Sequence, residues 1–270
     1  MRWAEFKDTL RYSWQMTLIW GIGLGAMTAL FVQMTPTLNG MDFVSLLEKM
    51  PEWALGAVGV TGDVKVMGTP EGIIAFGLFG KMALIFAAYP VVMGMRATAN
   101  DEADGILDMV LSQPIPRSQL VLERFLAYAL NIIMLILLVI AGVYVGKLGV
   151  TLDEPLNTGQ IVLVSLNLIP VMIFVLATTI FVGTFVNRRQ TVITIMTAFV
   201  IASFMIQTLG AMVTASWMDP IEMLSFFSYF NVGHILEDGV VLWQVAMMIV
   251  LSVGFLGAAL FTFEKRDIAV

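Results

Sequence analysis

Few side chains in this 270-residue chain have types or spacing that could do chemistry. Cys is absent and His234 is the only histidine, so disulfides, thiolate metal sites and any mechanism needing paired histidines are excluded. Intramembrane hydrolysis fails on the same count. No G-x-S-x-G occurs, His234 falls outside the long apolar runs, and no two acids share the core of one run. Lys81 stands apart, near the middle of an apolar run. A charge there costs about 2.5–3.5 kcal/mol, which makes a functional role the default. Lys81 has two readings: it lines a wet path, or its long stem snorkels to the interface. Asn131 and Gln207 also fall within apolar runs, where an amide either ties helices together or meets a substrate. The segment Gly77-Leu-Phe-Gly-Lys81 has the wrong spacing for a phosphate loop, and G-x-x-x-x-G-K-[ST] occurs nowhere. This chain is therefore not expected to be an enzyme or to hold a cofactor. Neither a metal centre nor a nucleic-acid partner is expected.

The elements that carry these residues follow from composition. Hydrophobic residues make up 59% and charged residues 13%, with a mean hydropathy of +0.91. Globular domains carry roughly 25% charged residues, so most of this surface must face lipid. A spanning helix needs about 20 apolar residues. Six runs qualify: 14–34, 72–95, 120–146, 160–186, 191–216 and 239–263. The expected fold is an all-α integral membrane protein, one transmembrane domain over 1–270. The first run is read as a retained anchor, too long for a signal peptide. Pro90 and Pro170 are expected to kink the second and fourth spans. Gly21 and Gly25 form a G-x-x-x-G spacing that permits close helix approach, within the chain or at a dimer interface.

Lys and Arg set the orientation. With the amino terminus inside, Arg2, Lys7, Arg11, Arg96, Arg117, Arg124, Arg188, Arg189, Lys265 and Arg266 are cytoplasmic. Only Lys49, Lys65 and Lys147 are outside, among acids such as Asp63, Asp153, Asp219 and Asp238. Both termini are thus expected in the cytoplasm.

Off the membrane, Trp3, Phe6, Leu10 and Trp14 share one helical face, with Lys7, Asp8 and Arg11 pointing away. Residues 1–13 are read as an amphipathic interfacial helix, either a plain lead-in to the span or a lever for a cytosolic partner. In the first outer loop Phe43, Leu46, Leu47 and Met50 repeat the spacing, limited by Pro51. The aromatic run 226–230 suits the interface or a half-inserted helix.

The loop between spans two and three is the most informative stretch. Asn100 can cap a short helix over 100–113, with Asp101 and Glu102 at its positive end. Asp101, Asp104 and Asp108 line one side, and Ile106, Leu107, Val110 and Leu111 form an apolar stripe. Pro114 and Pro116 stop the helix. The stripe either packs under the bundle or docks into another protein.

Glu102-x-x-Gly105-x-Leu107 followed by Leu111-Ser-Gln-Pro-Ile-Pro-Arg-Ser118 resembles the corresponding loop of ABC-transporter permeases of the type-2 exporter class. The resemblance extends over the chain: an amino-terminal amphipathic helix, six spans, an aromatic loop before the sixth, and the basic tail Phe263-Glu-Lys-Arg-Asp267. Two positions depart from the pattern. Ile106 stands where Thr or Ser is usual, and the aromatic loop lacks its usual Pro. The resemblance implies a coupling helix at 100–113 carrying Asp101, Glu102, Asp104, Gly105, Leu107, Val110 and Leu111, with Arg117 beyond it. Trp3, Phe6, Lys7 and Arg11 of the amino-terminal helix would share the contact with a separate ABC ATPase subunit. Two ATPases, binding ATP and Mg, and a second permease, identical or a close paralogue, would complete an exporter in a prokaryotic cell membrane. The alternative is a secondary transporter or channel without an ATPase; no inverted repeat favours it.

Overall fold

A computed structural model describes residues 3–39, 43–58, 64–80, 82–98, 116–150, 155–186, 188–213 and 217–265. Among these every regular element is helical. Five helices are long and apolar enough to cross a membrane, and a bent pair makes a sixth. They are α1 (Ala4–Asn39), α2 (Ala83–Ala97, preceded by Pro70–Gly80), α3 (Arg117–Lys147), α4 (Thr158–Phe185), α5 (Arg189–Met212) and α6 (Leu242–Lys265). Each of the six apolar runs of the sequence coincides with one of these to within a few residues, apart from the longer reach of α1.

Two features differ from the expected ones. The interfacial helix and the first span are a single helix, Ala4–Asn39, with no break at residue 13. The reason lies in the buried face, which is the small polar one. Thr9, Ser13, Thr17, Thr28 and Thr35 recur along it, all buried. Ser13, Thr17, Thr28 and Thr35 each return their hydroxyl to the carbonyl four residues back, at 2.6 to 3.0 Å. That satisfies the hydroxyl inside the helix and leaves a narrow surface for close packing. The aromatic stripe faces outward instead: Trp3 and Trp14 are nearly half exposed. In lipid a large apolar residue gains little by burial against protein, so the small face decides the packing.

The second difference concerns span two. Thr69 caps its start by accepting the Gly72 N–H at 3.1 Å, with Pro70 in the first turn. The helix then opens into a π-helical segment, Ala75–Gly80, and bends by 42° before Ala83. The bend falls ahead of Pro90, which lies buried inside α2. A π turn leaves the i→i−4 ladder, so it supplies a break in span two. Pro170 likewise sits inside an uninterrupted α4.

The bundle is organised around two contacts. α1 and α3 run parallel in a fixed register, Ser13 against Asn131, Gly25 against Gly142 and Ala29 against Gly146. A Cβ on Gly25 would lie 2.7 Å from the Leu138 carbonyl oxygen, and one on Gly142 would overlap the Gly25 backbone. The G-x-x-x-G spacing therefore serves a contact within the chain. α4 is the central helix, the most buried of the spans, and packs against α2, α3 and α6. α5 and α6 are the least buried of the spans, with 22% of each apolar stretch buried.

The aromatic run between α5 and α6 is inserted. Phe226–Tyr229 forms a short 3-10 turn, and Phe226, Phe227 and Phe230 are buried. Phe226 packs against Phe174 of α4 and Phe199 of α5. Ser225 donates to the Ser203 carbonyl at 2.7 Å, and the Phe226 N–H donates to the Ser203 hydroxyl at 3.0 Å. These bonds satisfy backbone that would otherwise enter the bundle unpaired.

Candidate functional site

The segment 100–113 lies outside the described residues, and with it Asp101, Glu102, Asp104, Gly105, Leu107, Val110 and Leu111. Its two roots are described. The chain leaves the bundle at Ala97 and Thr98, both buried, and re-enters at Pro116. The first turns of α1 meet the start of α3, and three charged side chains, Glu5, Glu123 and Arg124, join α1, α3 and the end of α2.

Arg124, on the second turn of α3, is only 7% exposed. Its Nε donates to Glu5 Oε1 of α1 at 2.7 Å, and its Nη1 donates to the Ala97 carbonyl at 3.0 Å. Ala97 is the last residue of α2, so its carbonyl has no partner within the helix. A guanidinium there satisfies that oxygen and complements the negative end of the helix dipole. The neighbouring Glu123 does the converse. It is 3% exposed and accepts the Phe6 N–H on Oε2 at 3.1 Å and the Gln119 amide on Oε1 at 2.6 Å. Phe6 is the third residue of α1, whose N–H is also without an intrahelical acceptor, at the positive end of the dipole. Adjacent residues of α3 thus cap the start of α1 and the end of α2. Burial is tolerable because Arg124 is paired with Glu5 and Glu123 accepts two hydrogen bonds.

The remaining amino-terminal candidates surround this knot. Trp3 and Phe6 meet edge to face at 5.9 Å between ring centroids. Phe6 is half-buried, whereas Lys7 and Arg11 are exposed. Arg117 begins α3 and is half-buried. Sequence reasoning missed Glu5, Glu123 and Arg124 as site residues. The available signal was weak: a Glu-Arg pair at the start of a span looks like ordinary interfacial polarity, and nothing local says that both turn inward.

The three candidates for a translocation path separate. Asn131 is buried and donates to the Ser13 hydroxyl at 2.6 Å, a tie between α3 and α1. Gln207 donates to the Phe227 carbonyl at 3.2 Å and borders a cavity of about 50 Å³ with Thr208, Glu222 and Asn231. Lys81 lies outside the described residues; Gly80 and Ala83 border the same cavity. That volume holds a few waters and no larger solute. A wider concavity of about 350 Å³ opens between α2 and α5, lined by Leu84, Ala87, Val91, Met95, Ile193 and Val200. It presents no ionisable side chain among the described residues and so no counter-charge for an ionic cargo. Elsewhere, His234, Glu237 and Asp238 gather on an exposed turn, as solvated polar groups do without any metal.

The arrangement joins helix ends and presents no reactive pair among the described residues. A family model described as ABC-2 family transporter protein matches residues 2–268. No curated protein matches the chain.

Proposed function

The chain belongs to the ABC-2 transporter family, membrane components that work with an ABC ATPase, and on that footing we propose that it is the permease subunit of an ATP-driven exporter whose ATP is hydrolysed on a separate subunit. In this reading two ATPase subunits bind ATP and Mg, and a second permease, identical or paralogous, completes the pathway in a prokaryotic plasma membrane. The segment 100–113 and the exposed face of the first turns of α1 receive the ATPase. Asp101, Glu102, Asp104, Gly105, Leu107, Val110 and Leu111 supply the loop side of that contact, and Trp3, Phe6, Lys7, Arg11 and Arg117 the flanking side.

One observation carries the reading: a single end of the bundle gathers the start of α1 and both roots of the loop. A partner bound there pushes on three spans at once. The positive-inside pattern puts this end in the cytoplasm, where ATP is.

The test is purification of the native complex and assay of its ATPase activity and transport. The ATPase subunit is expected to co-purify, and the double replacement Leu107→Asp with Leu111→Asp is expected to abolish transport while leaving the membrane subunit intact. Normal transport in that variant would sink the coupling assignment.

A further inference from the structure

We infer that Glu5, Glu123 and Arg124 are positioning residues that form a transmission clamp, locking the start of α1 and the two loop roots into one rigid lever. The inference rests on the coupling reading above and adds the device through which a push on the loop enters the spans.

The geometry is specific to three segments. Arg124 holds two acceptors at once, the Glu5 carboxylate on α1 and the Ala97 carbonyl at the end of α2. Glu123 holds the Phe6 N–H of α1 and the Gln119 amide of its own helix. Each bond is charge-assisted, and each crossing bond ends in the terminal turn of a helix. A group in that turn moves with the whole helix, so these bonds couple rigid bodies. A guanidinium can do this because its donors form a fixed fork; a lysine offers a point charge on a flexible stem. Downstream, the parallel α1–α3 contact continues from Ser13–Asn131 to Gly25–Gly142. Displacement of the clamped end is therefore carried along both helices together, without a sliding interface between them.

A clamp and a merely structural ion pair make different predictions. Removing one partner of a buried pair leaves an uncompensated charge, whereas replacing both by apolar groups is often neutral for stability. Glu5→Ala alone and the double variant Glu5→Ala with Arg124→Met are therefore compared in the full complex with its ATPase, reconstituted in vesicles. The chain has no native Cys, so Leu242→Cys or Trp217→Cys, both exposed near the far ends of α5 and α6, can carry a fluorophore that reports movement on adding Mg-ATP and vanadate. Both clamp variants should still bind the ATPase and hydrolyse ATP, while the ATP-driven signal at the label falls by about tenfold, as expected on losing a charge-assisted bond. A double variant that is stable and gives the native signal would overturn the clamp. So would loss of ATPase binding in the double variant, which would make these residues part of the docking surface. If the labelled protein with its clamp intact shows no ATP-driven signal at either position, the coupling reading itself fails, whatever the clamp variants do.

Discussion

Most buried polar side chains among the described residues find a partner inside the protein, because lipid offers none; the Thr98 hydroxyl and one Glu71 carboxylate oxygen are exceptions. Asn131 shows what this means for function. An amide in the middle of a span could contact a cargo, but its N–H reaches the Ser13 hydroxyl at 2.6 Å, and Ser13 in turn bonds the Thr9 carbonyl. Tyr89 and Thr17 make a second such tie, their hydroxyls 2.8 Å apart between α2 and α1. Such interhelical bonds contribute on average about 0.6 kcal/mol, with a maximum of about 1.7. Asn131→Leu is accordingly expected to lower stability by about 1 kcal/mol, seen as a reduced melting temperature in detergent, with transport per folded molecule unchanged. A transport defect larger than the loss of folded protein would return Asn131 to the pathway. Glu123 and Arg124 obey the same rule with charges in place of dipoles, which is why their inward turn could not be read from a local pattern.

Helices pair here by surface shape more than by hydrophobicity. α1 has apolar residues all round its span-forming half, so periodicity alone does not choose its packing face. The choice falls to the strip running from Thr9 through Gly21 and Gly25 to Thr35, where small side chains admit the α3 backbone. Gly142→Val is expected to cost about 1–3 kcal/mol, the usual penalty for forcing atoms into a filled contact, because its Cβ would overlap the Gly25 backbone. Gly23→Ala is the control: a Cβ there meets nothing within 4 Å, so stability should hold or rise slightly through helix propensity. Thermal unfolding of the two variants in the same detergent checks the contrast, and equal losses would mean that α1 and α3 do not meet along this strip. The same close approach explains why the amino-terminal helix has no joint at residue 13: the strip continues through that point without a change in spacing.

For the whole molecule, sidedness connects structure to use. The ends that join at Glu5, Ala97 and Arg124 also carry cationic residues, Lys7, Arg11 and Arg117 among them. The opposite end carries the short helices Phe43–Glu48, Glu52–Val58 and Val64–Met67 and the acidic turn at Glu237 and Asp238. Lys7→Cys and Arg188→Cys should therefore react with an impermeant maleimide only after cells are opened. Leu148→Cys and Trp217→Cys, at exposed positions, should react in intact cells. The reverse pattern would place the loop outside and remove its access to a cytosolic ATPase.

Much of this was legible in the order of residues alone. Apolar run length and low charge dictate helices in lipid, because an unbonded backbone cannot be tolerated there, while the Lys and Arg bias gives the orientation as an expectation that the labelling experiment tests. The motif 102–118 marked the family, since a resemblance of that kind needs only residue types in order. What needed the tertiary structure were the partners. Whether Gly25 met its own chain or another, whether span two carried a π turn, and whether Glu123 and Arg124 pointed to water or to helix ends all depend on contacts with segments remote in sequence. A local pattern specifies the face a residue occupies, and only the packed bundle determines what stands opposite that face.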